Sequence, residues 1–566
     1  MKKYLSALFC LFTVIYGASA QQPIWVAPIF GSGNDNCNAL HVDASGDVYS
    51  VGFIDDTTDL DPGAGILLRV PSGATDVFLQ KLDATGNLIW ATTFGSTSLS
   101  ADEGFAVTTD PAGNVYVTGG FYGSGDFNPG PDTTILSASG ALDAYVIKFD
   151  DAGNFIWAKA FGGSQYDAGD DILIDGLGNI WIIGSFSTTS DFNPGPGTFN
   201  LTSGGSRDAY LLKLDSSGNY LWAGKAGGSG FDEAKAIGRD VNNNIYVHGT
   251  FSGTVDFNPG QGTFNLTSAG GWESFLWKTD NSGNMIWAKA FGGTSDEYGF
   301  ALKVTSDQFL YTGGRFKLTA DFDPGPGVNA VTAAGGYDGY LAKFDTSGNF
   351  INVVTMSGPL YEMVHEIAVD ETSHSVFVMG AFDGTTHFSS GTSGDTLVSY
   401  GNADIFLAKY SGTGGLEWIG NLGGIQSDFP GSMSLQSNQT LYLNGNYSGT
   451  ADLDPSSGTW NLTALNSYDP FVEKLDVSML TSVPSGISQN SLFFYPNPAS
   501  SNITVVSSNE FLYIGKVLDL TGKTVRNFSF LGKAEINIGD LAGGLYFLEI
   551  TGNGKTVNQK IVVTGY

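Results

Sequence analysis

The chain has 566 residues, more than one ordinary compact domain holds, so several domains or a repeat array are expected. Its 79 glycines sit between short apolar runs, and aromatics reach 13 %, which implies many tight turns and ample core rather than disorder. The formal charge of −31, from 56 acids against 25 bases, repels phosphate backbones and anionic lipid, which argues against nucleic acid and membrane surfaces as partners.

Residues 1–20 read as a secretory signal peptide. Lys2 and Lys3 precede the apolar stretch LSALFCLFTVIYG, and Ala18-Ser19-Ala20 forms a small-residue cleavage site. The apolar run is shorter than the ~20 residues a transmembrane span needs. Cleavage would leave Cys37 as the only cysteine, hence no internal disulfide.

From there the chain repeats itself. A seven-residue loop occurs as DLDPGAG at Asp59, DFNPGPD at Asp126, DFNPGPG at Asp191, DFNPGQG at Asp256 and DFDPGPG at Asp321. It degrades to HFSSGTS at His387 and returns as DLDPSSG at Asp452, giving seven copies spaced by 65 to 67 residues. Three β-rich segments keep the same period: NVYVTGGF from Asn114, DAYVIKFD from Asp143 and NFIWAKAFGG from Asn154, with their relatives. A further apolar segment, such as FAVTTD from Phe105, precedes them, so each repeat holds four strands. Four strands repeated seven times predict an all-β fold, a seven-bladed β-propeller of four-stranded blades. The seventh repeat ends after DPFVEKLD without its fourth strand, and IWVAPIFGSG from Ile24 is an orphan fourth strand. The amino terminus is therefore expected to close the last blade, giving a propeller over residues 21–476. The lysine of each third strand (Lys81, Lys148, Lys213, Lys278, Lys343, Lys409, Lys474) is read as packing between blades.

Connections alternate between tight turns and long loops, so both long loops of each blade leave one face, the candidate binding face. Acids gather there. In the third repeat they are Asp167, Asp191, Asn193 and Asp208, with the equivalents Asp102, Asp126, Asn128 and Asp143 in the second. Asp-x-Asp/Asn supplies hard oxygen ligands suited to Ca2+, and the same residues serve turn chemistry, the reading favoured because the full Asp-x-Asp-x-Asp-Gly pattern is absent. The sixth repeat departs from the others. It has His387 where the loop acid stands, and Glu362, His365 and Glu366 around its first strand. Drift is the favoured reading, because loops tolerate substitution freely; the other is a specialised blade whose histidines and acids titrate or hold a metal.

The combination of DxxGNVYVTGxF, DAYVxKFD and GNxxWAKxFGG resembles bacterial repeats of seven-bladed propellers. The resemblance implies a secreted propeller and no particular activity.

Residues 477–491 read as a linker, and residues 492–566 as a small β-sandwich. FFYPNPAS, GKVLDLTGKTVRNF and INIGDLAGGLYFLEI resemble the carboxy-terminal sorting domain of the type IX secretion system of Bacteroidetes-type bacteria, through Tyr495-Pro496-Asn497-Pro498, Gly544, Tyr546 and Lys560. The resemblance implies export across the outer membrane, with the secretion machinery as partner and the cargo anchored or released. No catalytic motif is present, and the five histidines are scattered. The expected function is a non-catalytic surface or secreted module binding a glycan or protein. The alternative is an extracellular carbohydrate-active hydrolase or lyase at the channel mouth.

Overall fold

The computed structural model describes residues 23–388, 395–436, 440–456, 458–477, 492–495, 501–507, 512–519, 523–552 and 555–563. The signal-peptide reading, most of the linker and the Pro496-Asn497-Pro498 motif lie outside them. The chain divides into two compact units, Met1–Val483 and Pro484–Tyr566.

In the first unit every described element is a strand, and they form seven four-stranded antiparallel blades. Blade three is representative. Asp167–Ile174 pairs with Ile180–Phe186, that with Asp208–Leu214, and that with Tyr220–Gly228. The innermost strands of the seven blades are Asn36–Val42, Glu103–Thr109, Asp167–Ile174, Glu233–Arg239, Glu297–Val304, Glu362–Val369 and Phe429–Gln436. Each touches the next, and the last touches the first, so they line a central channel as a closed ring. The outer strand of blade seven comes from the other end of the chain: Pro23–Pro28 runs antiparallel to the third strand, with Trp25 opposite Lys474 and Pro28 opposite Phe471.

The recurring sequence motifs are interblade fittings. The fourth-strand tryptophan packs on the tight turn of the following blade. Trp90 donates Nε1–H to the Asp151 carbonyl at 3.0 Å, and a Cβ on Gly153 would lie 2.7 Å from the Trp90 ring. Gly153 also has φ of +82°, a conformation costly for any other residue, so two constraints fix one glycine. The third-strand lysine lies over an aromatic ring of its own blade and reaches into the next blade's turn. Lys213 Nζ stands 4.6 Å from the Trp181 ring and 2.6 Å from the Asn281 carbonyl, and Lys278 repeats this with Tyr246 and Thr346.

The DFNPG segment is equally structural. Asp191 Oδ1 accepts from Asn193 N at 3.0 Å and Phe199 N at 2.8 Å, while Asn193 Oδ1 accepts from Gly195 N at 2.9 Å. These bonds aim Phe192 inward, where it is buried with its ring 4.9 Å from Tyr210. Phe127, Phe257, Phe322 and Phe388 plug their blades the same way. Blade six keeps the plug even though its loop has lost proline. The long connection read from the sequence has zipped flanks: Thr189–Asp191 pairs with Asn200–Thr202 and with Gly162–Gly163 of the preceding blade.

Blade seven holds one ill-matched group. Glu473 occupies the third-strand position filled elsewhere by Ile147, Leu212 or Trp277. It is fully buried, and neither carboxylate oxygen has a hydrogen-bond partner. Burial, reinforced by Asp454 and Asp452, holds its carboxyl well above the usual range. A raised folded-state pKa means the unfolded chain ionises first. Stability is therefore fully present below the ordinary glutamate pKa of ~4.3 and declines as pH rises from there, by about 1.4 kcal/mol per unit of pKa difference. Glu473→Leu should raise the melting temperature at pH 8, with the gain shrinking toward pH 4. Thermal melts across that range check it.

The second unit is built from two sheets. One orders Leu492–Tyr495, Asn502–Ser507 and Lys533–Asn537; the other orders Thr524–Leu531, Leu512–Leu518, Gly544–Gly552 and Lys555–Val563. Alternating inward residues, including Ile503, Val505, Tyr513, Val517, Leu548, Ile550 and Ile561, fill the space between them. Tyr546 is buried and its hydroxyl donates to the Ala542 carbonyl at 3.0 Å, while Gly544 opens its strand. Lys560 lies opposite Phe547 in the last strand pair, and Tyr495 lies opposite Thr504.

Candidate functional site

The acids that suggested a metal have internal partners. Asp167 accepts from Gly163 N at 2.7 Å and from Ser190 Oγ at 2.6 Å, tying the outer strand of blade two to the loop of blade three. Asp102 does the same with Ser96 N and Tyr122 N. Asp208 pairs with Lys225 Nζ at 2.6 Å, and Asp143 accepts from Ser139 N at 2.8 Å. Asp126 and Asn128 repeat the turn bonds of Asp191 and Asn193. Among the described residues no three His, Cys, Asp or Glu side chains converge in a metal-holding group.

In blade six, Glu362 fills the same clamp position as Asp167, accepting from Thr386 Oγ1 at 2.8 Å. Burial pushes its carboxyl up to about 8. His365 faces the channel and donates Nδ1–H to the Gly431 carbonyl at 2.9 Å. His387 stands on the exposed loop flank against Thr396 Oγ1 at 3.0 Å. The described contacts thus give the two histidines separate surroundings.

The channel encloses a cavity of about 480 Å³, within the range of ligand pockets. One register of the inner strands supplies a different residue from nearly every blade: Asn38, Phe105, Asp170, Lys235, Phe300 and His365. Lys235 bridges Asp170 at 2.9 Å and Glu233 at 2.6 Å. Asp171 takes backbone N–H from Ile172 and, across the blade boundary, from Ile237; Glu366 takes one from Ile367. Burial pushes both carboxyls up to about 7, and the Asp171 charge adds to the rise at Glu366. Burial also lowers His365, with Lys235 assisting.

Above this cavity, on the face of the long connections, blades three to six carry a continuous run of half-buried aromatic and arginine side chains. The Arg207 guanidinium lies 3.4 Å from the Tyr166 ring centre and 5.3 Å from that of Phe231. Phe231 meets Trp272 at 6.1 Å, Trp272 meets Tyr298 at 5.1 Å, Tyr298 meets Tyr337 at 6.0 Å, and Tyr337 meets Tyr361 at 6.2 Å. Arg315 sits among Tyr298, Tyr337, Tyr361 and Phe300, at 4.4 to 5.6 Å from their ring centres, and hydrogen-bonds the Tyr361 hydroxyl. Parallel bridges Arg207–Phe231 and Tyr337–Tyr361 pin adjacent blades here. Asp296 accepts from Trp272 N and the Tyr337 hydroxyl. Phe300 belongs to both the run and the cavity wall.

Sequence reasoning missed this run. Its signal lies immediately before the repeated acids: Tyr166, Phe231 and Tyr361 precede first-strand acids, while Arg207, Trp272 and Tyr337 precede third-strand acids. In blade two the same places hold Ala101 and Leu142.

Comparison with known proteins fits these two units. The uncharacterized WD repeat-containing protein L264 of Acanthamoeba polyphaga mimivirus is 32 % identical over 508 residues, covering 75 % of this chain and 35 % of that protein. The regulatory protein FlaEY of Caulobacter vibrioides is 28 % identical over 283 residues, covering 48 % of this chain and 28 % of its own length. The chain spans about a third of the length of these curated relatives, and neither is named as an enzyme. Among the described residues no helix is long and apolar enough to cross a membrane. Residues 493–564 match the secretion system C-terminal sorting domain, the mark of proteins exported by the type IX system to the cell surface or beyond it, and so tie this repeat propeller to that machinery.

Proposed function

We propose that the protein is an exported, non-catalytic interaction module that docks a partner on the long-connection face of blades three to six. The observation that supports this reading most is the run from Tyr166 to Tyr361, which concentrates half-buried Tyr, Trp and Arg beside a cavity. Those are the residue types that dominate binding energy at protein interfaces. The purified protein should be retained saturably by surface material of producing cells, with no product released from pooled glycans. Trp272→Ala and Phe231→Ala should lower retention about tenfold or more, as loss of central aromatic anchors does, without moving the melting temperature much.

A second reading rests on Asp171 and Glu366. Two channel carboxyls held near 7 suit proton transfer, as an extracellular hydrolase or lyase requires. Turnover of a pooled glycan that disappears in both Asp171→Asn and Glu366→Gln would establish that reading in place of the first.

A further inference from the structure

We infer that the aromatic run recognises a carboxylate-bearing segment of a partner polypeptide, with Arg207 and Arg315 as its anion forks. This rests on the interaction-module reading and specifies its chemistry. The chain has five arginines among an excess of acids, yet Arg526 is the only one with a carboxylate within 4.0 Å among the described residues. Arg207 and Arg315 are instead stacked on rings, which orients each guanidinium and leaves the Arg207 fork to take two carboxylate oxygens, while Arg315 gives one terminal N–H to the Tyr361 hydroxyl and keeps its other terminal donors. Arg315 Nε is buried without a partner. The surrounding negative charge opposes an acidic partner at long range, but at physiological ionic strength that field is screened beyond ~8 Å; of the nearby acids, Asp170 and Glu233 are paired with Lys235, and Asp296 is engaged by Trp272 N and the Tyr337 hydroxyl.

Ring geometry favours a peptide over a polysaccharide. A sugar chain stacks on flat ring faces turned outward in a row. Here successive rings are inclined by 55°, 60°, 64° and 72°, so the edge of each covers part of its neighbour's face. What remains is a ridged surface of ring edges, phenols and guanidinium forks beside the cavity, which suits side chains of alternating character.

The test measures binding of the full-length protein to poly(Glu,Tyr), poly-L-lysine and polygalacturonate by calorimetry. The expected result is saturable binding of poly(Glu,Tyr) that weakens with added salt. Arg207→Ala should weaken it about tenfold or more. Arg315→Lys should also weaken it, because an ammonium keeps the charge but loses the fork. Melting temperatures of both variants should stay close to the parent, and Arg207→Gln replaces any variant that fails to fold. Preference for poly-L-lysine, binding of polygalacturonate without poly(Glu,Tyr), no binding of any acidic polymer, or unchanged affinity in the arginine variants would each overturn the inference. The wider reading fails separately, when Trp272→Ala and Phe231→Ala leave surface retention intact.

Discussion

Removing residues 21–30 should lower the melting temperature of the propeller by about 5–10 °C. The strand Pro23–Pro28 covers the third strand of blade seven and is the outer strand that blade receives. Its loss uncovers a row of backbone groups on an edge that no other strand reaches among the described residues. It also removes Ala27 and Ile29, both buried, and Trp25, whose Nε1–H reaches the Ala84 carbonyl of blade one. Together with the Ile29 N to Pro470 carbonyl bond, these contacts amount to about 3–6 kcal/mol, a large part of the stability of an ordinary domain. Trp25→Ala should give a smaller loss in the same direction. A synthetic peptide of residues 21–32, added to the truncated protein, should restore much of the transition. Melting by circular dichroism checks all three.

Deleting residues 484–566 should cut the amount of protein outside the cell about tenfold or more while leaving the propeller folded. The two units have separate cores, and Tyr546, Leu548 and Ile550 belong to the sandwich cluster of the second. Residues 493–564 carry the sorting match, so the deletion removes the export signal and no blade. The truncated chain should accumulate in the periplasm with the thermal transition of the parent propeller. Fractionation followed by melting of the retained material checks it. Normal export of the truncated chain would contradict the export route.

The architecture was legible because the chain writes each interface seven times. Every blade packs the same two faces, so the equivalents of Gly153, Trp90 and Lys213 recur at fixed spacing where one blade's strand meets the next blade's turn, with Asn352 in place of the tryptophan in blade five. The DFNPG acids were visible too, but their pattern alone suited both a cation and a turn; only the bonds of Asp191 to Asn193 N and Phe199 N reveal what its oxygen accepts. The sector at the channel mouth was hidden by the same periodicity. The contacts between blades there are made by a different pair of side chains at each boundary, such as Lys235 on Asp170 and Arg315 on Tyr361, so alignment of the repeats discards them as noise. Asp170, Lys235 and His365 share one register yet differ in residue type and charge. In a ring of near-copies, the repeated residues hold the fold.

The most direct test of the interaction reading is site-specific photo-crosslinking of the exported full-length protein at the cell surface. A photoreactive residue at Phe231 or Tyr361, on the aromatic run, should yield discrete adducts that Arg207→Ala diminishes. The same residue at Ser217 or Asn242, exposed on the tight turns of the opposite face, should yield none. Adducts of equal intensity from both faces, or from Ser217 and Asn242 alone, would contradict the account.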